Sequence, residues 1–198
     1  MMKELKEKIL KEGMVIEKGE ILKVDSFMDH QVDVGLMDRV ADDIIDHLRE
    51  VSLFDKIDKI VTIETSGIVV GTLMALKMDL PMVFARKKIP ITLIEPLYSR
   101  KIVSPTKMNE VEIIISSRYL SPSDNVYIVD DFLATGATSL ALMEIMATSG
   151  AKVVGMGAII ENSFLPGRDL LSEKYPDLDL YSSVRISNMD ETGLIEFI

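Results

Sequence analysis

Residues 126–129, Val-Tyr-Ile-Val, are uniformly apolar and run directly into Asp130 and Asp131. Four consecutive apolar residues without alternation describe a strand buried on both faces, and such strands belong to parallel sheets covered by helices on either side. The flanking pattern agrees. Short β-rich runs at 59–63, 82–85, 111–116 and 153–160 are separated by stretches with helical spacing. Met2, Leu5 and Ile9 form one such stretch, closed by Gly13. Met37, Val40, Ala41, Ile44, Leu48 and Val51 form one face of a helix over 36–51, with Asp42, Asp43, Asp46 and Arg49 off that face. A third helix runs from Gly67 to about 79 before Pro81, and Leu140, Met143 and Ala147 mark a fourth that ends before Gly150. Strands alternating with helices predict an α/β fold, a mainly parallel sheet flanked by helices. Residues 21–32 read as extended, and 87–110, rich in proline and basic residues, read as a long loop. A chain of 198 residues is expected to form a single domain, 1–198.

Composition narrows the partners. The formal net charge of −10 repels phosphate backbones and anionic lipids, so neither nucleic acid nor a membrane surface is expected as a partner. Any anionic ligand must then meet local basic residues or backbone N–H groups. There are no cysteines, which excludes disulfides and thiolate chemistry. No stretch reaches the roughly 18 apolar residues of a membrane span, and the first residues lack a signal-peptide core. A soluble, cytoplasmic protein is expected.

The stretch after the apolar run carries the most chemistry. Asp130 and Asp131 supply acceptor oxygens and, when ionised, no donors. Ala134-Thr135-Gly136-Ala137-Thr138 follows, small residues leading into a helix. Backbone N–H groups converging there, with the hydroxyls of Thr135, Thr138 and Ser139, would suit a phosphate. A phosphate cradle beside two carboxylates fits a sugar phosphate whose vicinal hydroxyls donate to the acids. Taken alone, the pair also reads as a solvated strand-end turn. It is neither a P-loop, lacking Gly-Lys-Ser/Thr, nor a dinucleotide fingerprint, lacking G-x-G-x-x-G. Glu64-Thr65-Ser66-Gly67 alone reads as a turn with a Ser cap, and Arg86-Lys87-Lys88 alone as a solvated basic loop.

VDDFLATGATS, an apolar strand, two acids and then T-G-x-T, resembles the phosphoribosyl pyrophosphate signature of type I phosphoribosyltransferases. ILKVDSFMDHQVD, KIVTIETSGI, VFARK and IIENSFLPGRD are similar to the bacterial xanthine phosphoribosyltransferases, in that family's order and spacing. The resemblance implies transfer of 5-phosphoribose from phosphoribosyl pyrophosphate to a purine base, in purine salvage. It also implies a core over about 33–161 and a small hood formed by the N- and C-terminal segments, about 1–32 and 162–198. Mg²⁺ is expected to be held mainly through the substrate, with no protein metal site, and the chain is expected to form a homodimer.

By the same resemblance Asp130 and Asp131 hold the ribose hydroxyls, and Ala134 through Thr138 cradle the 5′-phosphate. Thr65, Ser66 and Gly67 form a pyrophosphate loop, and Arg86 and Lys87 face the pyrophosphate. Lys107, with Thr106, closes over the reactants, and residues 97–109 are expected to be mobile without ligand. Leu22, Asp29, Asn162 and Phe164 line the purine. The chain departs from the family at three positions: Asp29 stands where the family has Asn, Asn162 where it has Lys, and Val103 where it has Tyr. Leu22, Phe164, Pro166, Gly167 and Arg168 match it. His30 and His47 carry no catalytic role in this reading, His47 being structural or exposed, and the 13 methionines are core packing. A non-catalytic phosphoribosyl pyrophosphate-sensing regulator is the alternative. The acidic charge and a family-like pattern beginning near residue 1 weigh against the DNA-binding segment such a protein would carry.

Overall fold

The computed structural model describes residues 2–89, 96–103 and 110–198. In chain order its elements are α1 (Lys3–Glu12), β1 (Met14–Ile16), β2 (Ile21–Lys23), α2 (Val34–Glu50), β3 (Lys59–Ile63), α3 (Gly67–Met78), β4 (Met82–Ala85), β5 (Leu97–Val103) and β6 (Glu110–Ser116). There follow β7 (Asn125–Leu133), α4 (Ala137–Ser149), β8 (Lys152–Asn162), α5 (Gly167–Lys174), β9 (Asp179–Met189) and β10 (Ile195–Phe197). Six strands form the central sheet in the order β10-β9-β8-β7-β3-β4. All neighbours in it are parallel except β10, which returns antiparallel along β9.

β7 occupies the middle, and its apolar run is divided between two cores. Tyr127 and Val129 belong to the core under α1, α2 and α3, whereas Val126 and Ile128 belong to the core under α4 and α5. This is the period-2 alternation of a strand covered on both faces. Each fully buried side chain of this size contributes about 1.5–3 kcal/mol. Helix α2 forms as its spacing predicts. Asp33 caps it, accepting from the Leu36 N–H at 3.0 Å, and Met37, Val40, Ala41, Ile44 and Leu48 are buried. Val51 lies past the end of the helix and is exposed. His47 is structural. Its Nε2 sits 2.9 Å from Asp179 and its ring stacks on Tyr181 at 4.1 Å. The Tyr181 hydroxyl donates to Asp43 at 2.9 Å, so α2 is tied to the start of β9.

Several expectations are corrected. Residues 21–32 are extended only to Lys23; a π-helical turn over Asp25–Asp29 follows. The stretch read as one long loop contains β5, which pairs antiparallel with β6 from Leu97↔Ser116 to Val103↔Glu110. Residues 97–103 are therefore a strand rather than part of a loop. Tyr98 and Ile102 pack on the second core, and Arg100 reaches Glu144 and Thr148 on α4. Residues 104–109, with Thr106 and Lys107, lie outside the described residues. The segment past 162 contributes β9 to the central sheet, paired with β8 from Gly155↔Asp179 to Asn162↔Ile186.

Candidate active site

The site begins where β3 and β7 part. Their pairing ends at Val61↔Ile128, whereas β7 keeps pairing with β8 as far as Leu133↔Glu161. Asp130 and Asp131 thus lie within a strand that has lost one neighbour, at the carboxyl edge of the sheet, where open α/β sheets bind ligands. They are not equivalent. Asp130 is 3 % exposed, whereas Asp131 is only half-buried. Asp130 Oδ1 accepts from the Asp131 N–H at 2.9 Å, and Asp131 Oδ1 from the Phe132 N–H at 2.9 Å. Burial pushes the Asp130 carboxyl well above the usual range, Asp131 adds to this, and the charge on Lys87 pulls the other way.

The turn after β3 closes on the same point. A Cβ added at Gly67 would lie 2.4 Å from Thr62 Oγ1 and 3.1 Å from Asp130 Oδ1, so only glycine lets α3 start this near the acid. Ser66 does not cap α3. Desolvation raises the Asp29 carboxyl, the nearby Ser66 lowers it, and Asp131 and Asp25 raise it further. Asp29 is nonetheless exposed to solvent. Glu64 accepts from the Lys87 N–H at 2.6 Å, fastening the basic loop to this turn. Arg86 lies over the Phe84 ring at 5.1 Å, and its backbone exchanges two 2.9 Å hydrogen bonds with Ile114 of β6. The structure therefore brings together Asp29, Ser66, Gly67, Lys87, Asp130 and Asp131.

The loop from Ala134 to Gly136 leads into α4. Gly136 has φ of 81° and occupies the cap position without a side-chain cap, leaving the first N–H groups of the helix directed at an incoming anion. Gly167 closes the loop from behind. Its N–H donates to Ala134 O at 2.9 Å, and a Cβ on Gly136 would lie 2.9 Å from Gly167 Cα. Gly167 entered the sequence reading only as part of a matching segment. Its role as a backbone support for the loop depends on a contact between residues thirty apart, which no local pattern displays.

Among the purine candidates, Asn162 is 5 % exposed, and its Oδ1 is buried with no hydrogen-bond partner. Phe164 is 39 % exposed. Leu22 is 5 % exposed and packs into the first core, beside Gly13. Among the described residues no group of three or more His, Asp or Glu is arranged to hold a metal ion. A groove of about 610 Å³ lined by Leu53, Lys56, Met143, Lys152, Tyr175 and Leu178 lies at the opposite, amino edge of the strands, away from these groups.

Glu161 lies within the segment IIENSFLPGRD but was given no role from the sequence. It is 1 % exposed and accepts from Arg168 Nε at 2.8 Å and Nη2 at 2.6 Å, from Arg185 at 3.1 Å, from Ser163 at 2.6 Å and from Ser182 at 2.7 Å. Burial pushes its carboxyl up, but Arg168, Ser163 and Ser182 together outweigh burial and bring it from 4.5 down to about 2. A depressed folded-state value gives stability that is present above the unfolded value and lost as pH falls through the folded one. The shift corresponds to about 3 kcal/mol. Between pH 4.5 and 2 the melting temperature of the parent should fall more steeply than that of Glu161→Gln. Parallel curves would refute this.

A family model for the phosphoribosyl transferase domain matches residues 34–169. The chain is 40% identical over 197 residues to the xanthine phosphoribosyltransferase 1 of Clostridium botulinum, covering 100% of both chains. It is 39% identical over 194 residues to the xanthine phosphoribosyltransferase of Listeria innocua, covering 98% of this chain and 97% of that one. Among solved structures, the APRTase of Giardia lamblia complexed with 9-deazaadenine is 28% identical, with a TM-score of 0.67 over 77% of this chain and 81% of that one. The adenine phosphoribosyl transferase of Trypanosoma brucei, 19% identical with a TM-score of 0.73 over 91% of this chain and 79% of that one, shares the fold.

Proposed function

The chain belongs to the phosphoribosyltransferase family, and on that footing we propose that it transfers 5-phosphoribose from phosphoribosyl pyrophosphate to a purine base of the xanthine type, releasing pyrophosphate, in purine salvage. The observation that carries this reading is the close approach of Gly67, at the start of α3, to Asp130, with Asp131 the open acid beside it and the Lys87 N–H fastened to Glu64 of the same turn, on the strand side that leads into the uncapped start of α4 behind Gly136.

Asp131 accepts from a ribose hydroxyl, and Asp130, the more buried acid, holds Asp131 and the Gly67 turn in place. Ala134 through Thr138 receive the 5′-phosphate through backbone N–H groups and hydroxyls. Thr65, Ser66 and Gly67, with Arg86 and Lys87, receive the pyrophosphate. Lys107 is proposed to reach the same group. Displacement at C1 passes through an oxocarbenium-like state, so the protein supplies orientation and charge stabilisation rather than a nucleophile. The donor set fits Mg²⁺ bound through the oxygens of the substrate and water, with Asp131 as the open carboxylate beside it. When bound, the ion offsets the charge of the pyrophosphate. A hood formed by about 1–32 and 162–198, a homodimer and a cytoplasmic location belong to the same proposal.

The test is pyrophosphate release with xanthine, guanine, hypoxanthine and adenine as acceptors. Turnover with none of them, while phosphoribosyl pyrophosphate still binds, would favour the sensing regulator. That reading is otherwise disfavoured, because the relatives matched over nearly their full length are enzymes. Asp131→Asn should lower kcat/KM for phosphoribosyl pyrophosphate about ten- to a hundredfold through loss of a charge-assisted hydrogen bond, with the melting temperature held. Asp130→Asn, which replaces a carboxyl already driven toward its neutral form, should cost less. The reverse order would show that the roles of the two acids are exchanged.

A further inference from the structure

We infer that Glu161 is a positioning residue for phosphoribosyl pyrophosphate: through Arg168 it holds the turn 162–168 against the loop 134–136 and so sets the shape of the phosphate cradle. The inference rests on the reading of 134–138 as that cradle.

The loop cannot hold itself. Ala134 and Gly136 carry no polar side chain, and α4 has no side-chain cap. The loop is braced by the Gly167 N–H on Ala134 O and by the near contact of the two glycine backbones. Gly167 opens α5, a helix of eight residues, which is too short to be stable without outside contacts. Its first turn is fixed because Arg168 forks onto both oxygens of Glu161, Nε to Oε1 and Nη2 to Oε2, a geometry that sets orientation as well as distance.

Glu161 is fixed in turn. Ser163 and Arg185 fill Oε1, and Ser182 fills Oε2. With five donors on two oxygens and 1 % exposure, the carboxylate has no capacity left for a ligand. Its effect on the reaction therefore runs through Arg168 and Gly167. The turn it holds also begins at Asn162, whose carbonyl accepts from the Leu165 N–H at 2.9 Å, so one ion-paired support serves both the phosphate loop and the segment with the purine candidates Asn162 and Phe164.

A purely structural role would lower stability and leave substrate constants alone, so the test separates the two. In the full chain, Glu161→Gln should raise KM for phosphoribosyl pyrophosphate and Ki for ribose 5-phosphate by about tenfold or more, with kcat close to that of the parent. Glu144→Gln is the control. Glu144 pairs with Lys174 at the other end of α5, at 2.9 Å, and its loss should lower the melting temperature without moving either constant. If Glu161→Gln behaves as the control does, the inference is overturned. Should that variant fail to fold, Arg168→Lys carries the same expectation, because an ammonium cannot fork onto a carboxylate; unchanged KM and Ki there would also overturn it. A parent with neither turnover nor ribose 5-phosphate binding would overturn the functional reading itself, a result distinct from an active parent with an indifferent Glu161→Gln.

Discussion

Gly167→Ala should all but abolish capture of phosphoribosyl pyrophosphate while most of the fold survives. The added Cβ would lie 2.3 Å from Ala134 O and 2.8 Å from Gly136 N. Both are backbone atoms, so no side chain can swing away, and either α5 or the phosphate loop must retreat. A misplacement of about 1 Å in a group that orients substrate can cost on the order of a hundredfold, and overpacking costs about 1–3 kcal/mol of stability. KM for phosphoribosyl pyrophosphate should therefore rise about a hundredfold. Gly150→Ala makes the comparison. That glycine has φ of 81°, and a Cβ there would meet the Pro122 ring at 3.1 Å, at the far end of α4. It should lower the melting temperature and spare the kinetics. A Gly167→Ala protein with parental KM would mean that the glycine contact does not shape the loop.

The second large effect concerns the base. The Asp29 carboxyl is raised by the charge on Asp131 and lowered by Ser66, so it lies on the side of the proposed ribose contact. An ionised Asp29 can only accept. Against a 2-oxo purine it sets acceptor against acceptor, a mismatch of roughly 1–3 kcal/mol, or about ten- to a hundredfold; against a 2-amino purine it gains a charge-assisted bond. We expect Asp29→Asn to raise the ratio of kcat/KM for xanthine over guanine by about ten- to a hundredfold. The pH dependence follows from the direction of the Asp29 shift. A raised carboxyl takes up its proton sooner as pH falls, and the protonated acid can donate to a 2-oxo group. The parent should therefore move toward xanthine on acidification, and Asp29→Asn should not. A parent that strongly prefers xanthine at every pH, with no change on Asp29→Asn, would place the side chain outside base recognition.

What could be read from the sequence was whatever repeats locally. The Val126–Val129 run identified a doubly covered strand because burial on both faces removes polar residues altogether. β9 escaped notice for the opposite reason. Ser182, Ser183 and Arg185 interrupt its apolar residues, since part of what it packs against is the buried carboxylate of Glu161. β5 was hidden in the same way: Arg100 points to Glu144 and Thr148, leaving Tyr98 and Ile102 as its apolar anchors. In the site, adjacent acids announced a special strand end, but which acid stays dry depends on where β3 leaves β7. Ser66 looked like a helix cap, but it does not cap α3, and the turn it belongs to is set by the approach of Gly67 to Asp130, more than sixty positions away.

The support for Glu161 also bears on the order in which the molecule can be completed during synthesis. Ser182 and Arg185 lie 21 and 24 residues beyond Glu161, so a nascent chain can assemble β3, β7 and β8 before either has left the ribosome. Until they arrive, the carboxylate at the end of β8 lacks two of its five donors, and water or a chaperone must serve it. A messenger that stops ahead of codon 182 would then yield a chain with most of its parallel sheet and an unanchored acid at the uncovered edge of β8, a species for quality control to remove rather than a shortened catalyst.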